Sequence, residues 1–305
     1  MIVKIEKILP MITGFAIIFN EDILYVSNAK KYNFFEIVLF VQKLITSINP
    51  KNTWRLTNIY FEGDSGKERM IIHHALTSTG KHLFYCITGD FLSDSQEANK
   101  MLNEYVEKVT ANYASGEIIQ DAAKKSEFKV IIKLITGYLW DKYREPIEDE
   151  NITYACNDEE NKIIYCGISS QGLPIISQLY DTSLLNNLHR DINNENIELF
   201  SSNLSAKLAT IAMNTQIRAK TNIKEIHFND LDDNGCKKLI LYGQINGYSL
   251  DFFAAGDFNR IKEIFLKLEQ DINKDKVLHH EFSGDLKPFR SLKNYLDEII
   301  QQFDQ

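Results

Sequence analysis

Asp230-Leu231-Asp232-Asp233-Asn234-Gly235 places side-chain oxygens at its first, third and fifth positions and a glycine at its sixth. That is the first half of a calcium loop, where hard oxygen ligands converge on the cation and glycine allows the sharp turn. The second half does not follow. Position 9 is Lys238, and position 12 is Leu241 where a bidentate glutamate belongs. The segment reads as an acidic solvated turn between two strands. Gly63-Asp64-Ser65-Gly66-Lys67-Glu68 touches two other chemistries. A phosphate loop needs glycine where Phe61 stands and a hydroxyl where Glu68 stands. A serine nucleophile needs histidine and aspartate partners whose placement spacing alone does not give. The pairs His73-His74 and His279-His280 are adjacent in sequence. Neighbours in a strand point to opposite faces, so His73 and His74 do not share a metal. Asp90 and Asp257 each follow a glycine at a strand exit and precede a helix, the position of a cap or turn. No nucleophile, acid–base pair or metal cluster assembles from these residues, so the expectation is a non-enzymatic chain without a cofactor or metal.

Composition narrows the class further. The chain has 305 residues, 44% hydrophobic and 25% charged, as a globular protein with room for two cores should. A net charge of −8 argues against a general nucleic-acid binder, which needs a basic face to displace counterions. The excess of acid falls after residue 145. Cys86, Cys156, Cys166 and Cys236 form no CxxC pair, which suits free thiols in a reducing cytoplasm. Ile8 to Phe19 follows Lys4 and Lys7 and mimics a signal peptide, but no small-residue cleavage site succeeds it. No apolar run approaches the roughly 20 residues of an integral membrane segment.

The elements that must position any site are written twice. With Ile59 laid on Ile226, Phe91 falls on Phe258 without a gap. Identities then recur at Phe61/Phe228, Gly80/Gly247, Leu83/Leu250 and Gly89-Asp90-Phe91/Gly256-Asp257-Phe258. In the first copy, strands are expected at Thr13 to Phe19 and Ile23 to Ser27, a helix at Asn33 to Ile48, and strands at Trp54 to Phe61, Arg69 to Thr77 and His82 to Thr88. Helices follow at Ser95 to Tyr113 and Glu117 to Tyr143. The charged stretch Arg144 to Asn151 reads as a linker, giving domains 1–145 and 146–305. An extra strand at Ile152 to Cys156 is expected to open the second copy. Strands at Ile163 to Ile168 and Leu173 to Ser177, a helix at Glu195 to Lys220, and strands at Ile223 to Phe228, Lys237 to Gln244 and Ser249 to Ala255 continue it. Helices at Phe258 to Asn273 and Leu286 to Phe303 finish the chain. The fold class is α+β, as two consecutive β-β-α-β-β-β-α domains.

That order resembles the roadblock/longin family, a profilin-like layout of a five-stranded antiparallel sheet with a long helix between its second and third strands. Ser169-Ser170-Gln171-Gly172-Leu173-Pro174-Ile175-Ile176-Ser177 looks like the roadblock hairpin, in which a polar turn ending in glycine precedes Leu-Pro-Ile. The first copy is more similar to a longin domain, because it begins directly with its hairpin and ends with two helices. It departs by carrying Asp22-Ile23-Leu24-Tyr25 where the roadblock hairpin has Gly-Leu-Pro-Ile. The resemblance implies a cytoplasmic regulator or scaffold in trafficking or signalling, binding a Ras-like small GTPase, in some relatives as an exchange factor. Attachment to membranes would come through partners.

The long helix of each copy carries apolar residues on two sides. Phe34, Ile37, Val38, Val41, Leu44, Ile45 and Ile48 make one face, while Phe35, Leu39 and Phe40 lie outside it. In the second copy Ile197, Phe200, Leu204, Leu208, Ile211 and Ala212 make the core face, and Leu199, Ala206, Ala209, Met213 and Ile217 a second stripe. Exposed stripes of this kind mark contact surfaces. Three coverings are open: the terminal helices of the same copy, pairing of the long helices in an intramolecular pseudo-dimer or a homodimer, or a partner such as a GTPase. Phe35, Leu39, Phe40, Leu199, Ala206, Ala209, Met213 and Ile217 are the candidate interface residues. Two other readings compete: a constitutive subunit of a tethering complex without GTPase contact, and a PAS-like small-ligand sensor with a pocket beneath a helix.

Overall fold

The computed structural model describes residues 12–64, 66–150, 161–188, 192–232 and 236–301. The expected strand at Ile152 to Cys156 and three of the calcium-loop residues, 233–235, lie outside them. The first half runs β1 (Ile12–Phe19), β2 (Asp22–Val26), α1 (Tyr32–Ile48), β3 (Trp54–Gly63), β4 (Gly66–Leu76), β5 (His82–Gly89), α2 (Gln96–Asn112), α3 (Gly116–Ala122) and α4 (Ser126–Glu148). The second runs β6 (Lys162–Ser170), β7 (Leu173–Leu179), α5 (Ser183–Asn187), α6 (Asn194–Asn214), β8 (Asn222–Asp230), β9 (Cys236–Ile245), β10 (Tyr248–Ala255), α7 (Phe258–Ile272) and α8 (Arg290–Gln301).

The strands form one ten-stranded sheet in the order β2-β1-β5-β4-β3-β8-β9-β10-β6-β7. This corrects the expectation of two domains, each with its own five-stranded sheet. The physical reason is that alternation of apolar and polar residues assigns faces, whereas sheet membership is decided by backbone edges that carry no side-chain signal. Contacts divide the chain into two compact units, Met1–Glu36 with Thr57–Tyr154, and Ile37–Leu56 with Ala155–Gln305.

In the first unit β1 reads ITGFAIIF and is buried almost throughout, as a strand covered on both faces requires. It pairs antiparallel with β2 and β5, and β5 with β4. Ser95 caps α2 by accepting from the Ala98 amide at 3.0 Å. Helix α2 then buries Ala98, Met101, Leu102, Tyr105 and Val109 on a core that includes Phe15, Ile17, Tyr85 and Ile87. Helix α4 adds Phe128, Ile132, Leu139, Tyr143 and Ile147. It continues through Pro146 to Glu148, into the stretch read as a linker. Ile147 falls one turn beyond Tyr143 on the buried stripe, and Arg144 pairs with Glu148 at 3.2 Å, so the last turn is held despite the proline.

In the second unit β10 lies between β9 and β6, and β6 pairs with β7. Two hairpins close through left-handed residues: Gln171-Gly172 (φ 50° and 82°) and Asn246-Gly247 (φ 48° and 89°). A two-residue turn of this kind matches the twist of its strands and demands positive φ twice, which explains the Asn-Gly and Gln-Gly choices. Helices α7 and α8 cover one face, over Cys166, Ile168, Leu239, Leu241, Leu250 and Phe252. Helix α6 packs on β6, β7 and β10 from the other. Asn193 caps it, and it ends in a π turn, Thr215–Ala219, closed by Lys220 at φ 55°.

Candidate functional site

The residues first singled out have structural work. Asp230 is buried, and its carboxylate accepts from the Trp54 indole at 2.8 Å and the Thr53 hydroxyl at 3.1 Å while Lys238 sits 3.2 Å away. It is an anchored counter-ion rather than the first ligand of a cation loop or part of a solvated turn. Glu68 accepts from Thr13 and pairs with Lys31. His74 meets His82 across the β4–β5 pair at 2.9 Å, whereas burial lowers the pKa of His73. Asp257 caps α7 through the Arg260 amide, but the cap of α2 is Ser95 and not Asp90. Among the described residues no group of three or more His, Cys, Asp or Glu could hold a metal, and no helix is long and apolar enough to cross a membrane.

The candidate interface residues separate by environment. Phe35 is fully buried and Ala209 nearly so, while Leu39, Phe40 and Ala206 are half-buried. Leu199, Met213 and Ile217 are 52%, 44% and 60% exposed. Leu199, Ala206 and Met213 repeat at heptad spacing and Ile217 follows a turn later, so all four share the outer face of the α6 segment. Leu173, at 61% exposure, opens the neighbouring strand β7, where the hairpin glycine Gly172 faces the Met213 sulfur. The result is an apolar ridge beside the last strand of the sheet. Arg218 lies 5.2 Å over the Phe40 ring, so α1 also reaches the end of this ridge.

Beneath α6 the sheet face is polar where a core is expected. Tyr165, Gly167 and Ser169 alternate along β6 with Cys166 and Ile168, which belong to the core under α7 and α8, so the first three face α6. Asp251 stands opposite Gly167 on one side and opposite Tyr242 on the other. Asp251 is fully buried, and neither of its carboxylate oxygens has a hydrogen-bond partner among the described residues. The hydroxyls of Ser169 and Tyr242 are likewise buried without a partner, while the Tyr165 hydroxyl lies towards those of Ser205 and Ser177. Burial pushes the Asp251 carboxyl up to about 8, so it is a neutral acid near pH 7. Burial, and then the Asp251 charge, raises both tyrosines well above their ordinary range. A cavity of about 310 Å³ adjoins this cluster, lined by Tyr242 and Ser249 on the sheet and by Ala209, Ala212 and Met213 on α6. The sequence carried one signal of it: an aspartate at mid-strand among Leu250, Phe252 and Phe253.

Gly167 makes the cluster possible. A Cβ there would stand 1.9 Å from the Tyr165 hydroxyl and 3.2 Å from the Ile176 carbonyl. Gly167→Ala is expected to destabilise the second unit by about 1–3 kcal/mol as an overpacked core does, read as a lower urea midpoint. An unchanged midpoint would mean that Tyr165 has room to move.

The chain matches no protein-family model, and no curated protein matches it significantly.

Proposed function

We propose that this chain is a non-enzymatic protein-binding module, a regulator or scaffold whose docking surface is the outer face of α6. The observation that carries this reading is the exposed ridge of Leu199, Met213 and Ile217, joined by Leu173 at the start of β7. Apolar side chains aligned over more than four helical turns lose little by being covered and gain about 25 cal/mol for each Å² removed from water. A Ras-like small GTPase is the proposed partner class on the strength of the roadblock/longin resemblance, with displacement of its switch segments as the mode of action.

The test is to mix the chain with small GTPases of the same genome and follow complex formation and labelled-GDP release. Leu199→Asp with Ile217→Asp is expected to abolish association and leave stability within about 0.5 kcal/mol, because both side chains are exposed. Association that survives the double substitution moves the docking surface elsewhere. Indifference to every GTPase, with stable co-purification of other proteins through the same face, favours the tethering-complex subunit instead.

The cavity beneath α6 favours a second reading, a small-ligand sensor. Its lining mixes amides, a lysine and hydroxyls with Ile223 and Met213, which suits a polar ligand better than an apolar one.

A further inference from the structure

A larger groove lies in the first unit, between β2 and α4. Its volume is about 930 Å³, and one wall is β2 itself from Ile23 to Val26. That strand ends the sheet, so one of its backbone edges is unpaired among the described residues. The Ser27 amide donates to the Phe15 carbonyl at 2.9 Å, so Ser27 turns towards β1. Antiparallel pairs alternate, so Val26, opposite Ala16, turns its own N–H and C=O to the open edge.

The other wall is α4, where Lys129, Lys133, Gly137 and Trp140 line the groove at helical spacing. Gln120 donates to the Asp22 carboxylate at 3.0 Å, and Tyr25 meets Thr136 at 3.4 Å, so α4 follows β2 in the same direction. From Lys129 to Trp140 the helix rises about 16 Å, the span of about five residues of extended chain. Both lysines are exposed, and neither forms an ion pair among the described residues. No acid lines the groove. Gly137 stands in mid-helix, where glycine is unfavourable, yet a Cβ there would meet nothing within 4 Å. No contact inside the chain explains that glycine, whereas a backbone drawn up against α4 would.

These features select the occupant. An unpaired strand edge calls for a partner with its own run of N–H and C=O groups, which a lipid or a small anion lacks. Two lysines without acids call for carboxylates. A second copy docked edge to edge would bring its own lysines to the same place, and like charges oppose that pairing. We propose that the groove binds an extended acidic peptide of another protein, as a strand added beside β2. Lys129 and Lys133 are about 6 Å apart along the helix, which matches alternate residues of a strand. The peptide therefore carries acids at two alternate positions, with an apolar side chain towards Trp140.

The experiment is display of random peptides of about eight residues on the full chain, counter-selected against Lys129→Glu with Lys133→Glu. Both lysines are exposed, so the double variant is expected to fold as the native chain does. Peptides kept by the native chain alone should carry Asp or Glu at two alternate positions. In fluorescence polarisation a selected peptide should bind the double variant at least about tenfold more weakly, and should lose affinity with added salt. Val26→Pro removes the outward N–H without touching the pairing with β1, and should weaken binding about tenfold or more. Gly137→Leu fills the groove and should abolish binding. On the unaltered chain, N-methylation of the peptide should abolish binding at one set of alternate residues and be tolerated at the other. Leu199→Asp with Ile217→Asp should change nothing, which keeps this test apart from the α6 reading. Absence of any peptide that distinguishes the native chain from the lysine variant overturns the proposal. Equal tolerance of N-methylation at every residue overturns it as well. A native chain that scatters light as a dimer, and as a monomer once Val26→Pro is made, would put a second copy in the groove and overturn the peptide.

Discussion

Raising the pH from about 4 to about 8 is expected to weaken the second unit by on the order of 5 kcal/mol through Asp251 alone. Its carboxyl titrates near 8 in the folded chain against an ordinary value of 3.8. Between those values the folded chain keeps a proton that the unfolded chain has released, so unfolding releases it and is promoted by alkali. The contribution is fully present below the unfolded value, fades as the pH climbs to the folded one, and is flat above. This is opposite in sign to the usual salt-bridged aspartate, whose stabilisation is lost in acid. Asp251→Asn keeps the shape, adds a donor and has no proton to lose. It should remove the slope and leave the variant several kcal/mol more stable than the native chain at pH 8. The chain has two tryptophans, Trp54 in the second unit and Trp140 in the first. In a Trp140→Phe background the fluorescence of Trp54 reports the second unit, and urea midpoints at pH 5 and pH 8.5 make the comparison. Parallel pH profiles for that background with and without Asp251→Asn would show that the acid is solvated in solution.

Trp54→Ala is expected to cost about 3–5 kcal/mol in the same unit. The indole is 3% exposed, with Phe228 and Phe253 at ring distances of 6.1 and 5.8 Å, and its N–H donates to Asp230. Lys238 pairs with that aspartate and lies 5.5 Å over the indole. Truncation opens a cavity and also strips a donor from a buried carboxylate, so two penalties add. Trp54→Phe keeps most of the ring and loses only the donor, and should cost about 1–2 kcal/mol. If Asp230→Asn is then nearly silent in the Trp54→Phe background but costly in the native chain, the two act as a pair. Equal costs in both backgrounds would assign the stability to ring packing alone. Urea midpoints followed by far-UV circular dichroism make this comparison, since the fluorophore is itself replaced.

Much of the secondary structure was legible because it rests on local chemistry. The turns at Gln171-Gly172 and Asn246-Gly247 announce themselves by residues that tolerate positive φ, and the stripe of α2 by its 3.6-residue spacing. The joining of ten strands was not legible, because a backbone edge is the same for every sequence. The end of α4 was misjudged from its charges and Pro146, when the deciding residue was Ile147 one turn past Tyr143. The candidate site divides in the same way. The outer stripe of α6 follows from periodicity, and Leu199, Met213 and Ile217 are exposed. Phe35 belongs to the same reading by spacing, yet its ring end lies 3.4 Å from the position of a Cβ on Gly14, in the interior. Tyr242 and Asp251 face each other across one hairpin, and Lys224 on the preceding strand joins their row only through strand register.

The grouping of Ile37–Leu56 with the second unit has a consequence for how the chain is made. A ribosome releases this segment early, but the strands on which Trp54 packs, carrying Phe228 and Phe253, emerge much later. Until then Val38, Val41, Leu44, Ile45, Ile48 and Trp54, all buried in the finished protein, have no final resting place. A fragment ending near residue 145 is therefore expected to expose these apolar side chains and to aggregate, which light scattering of the isolated fragment would read.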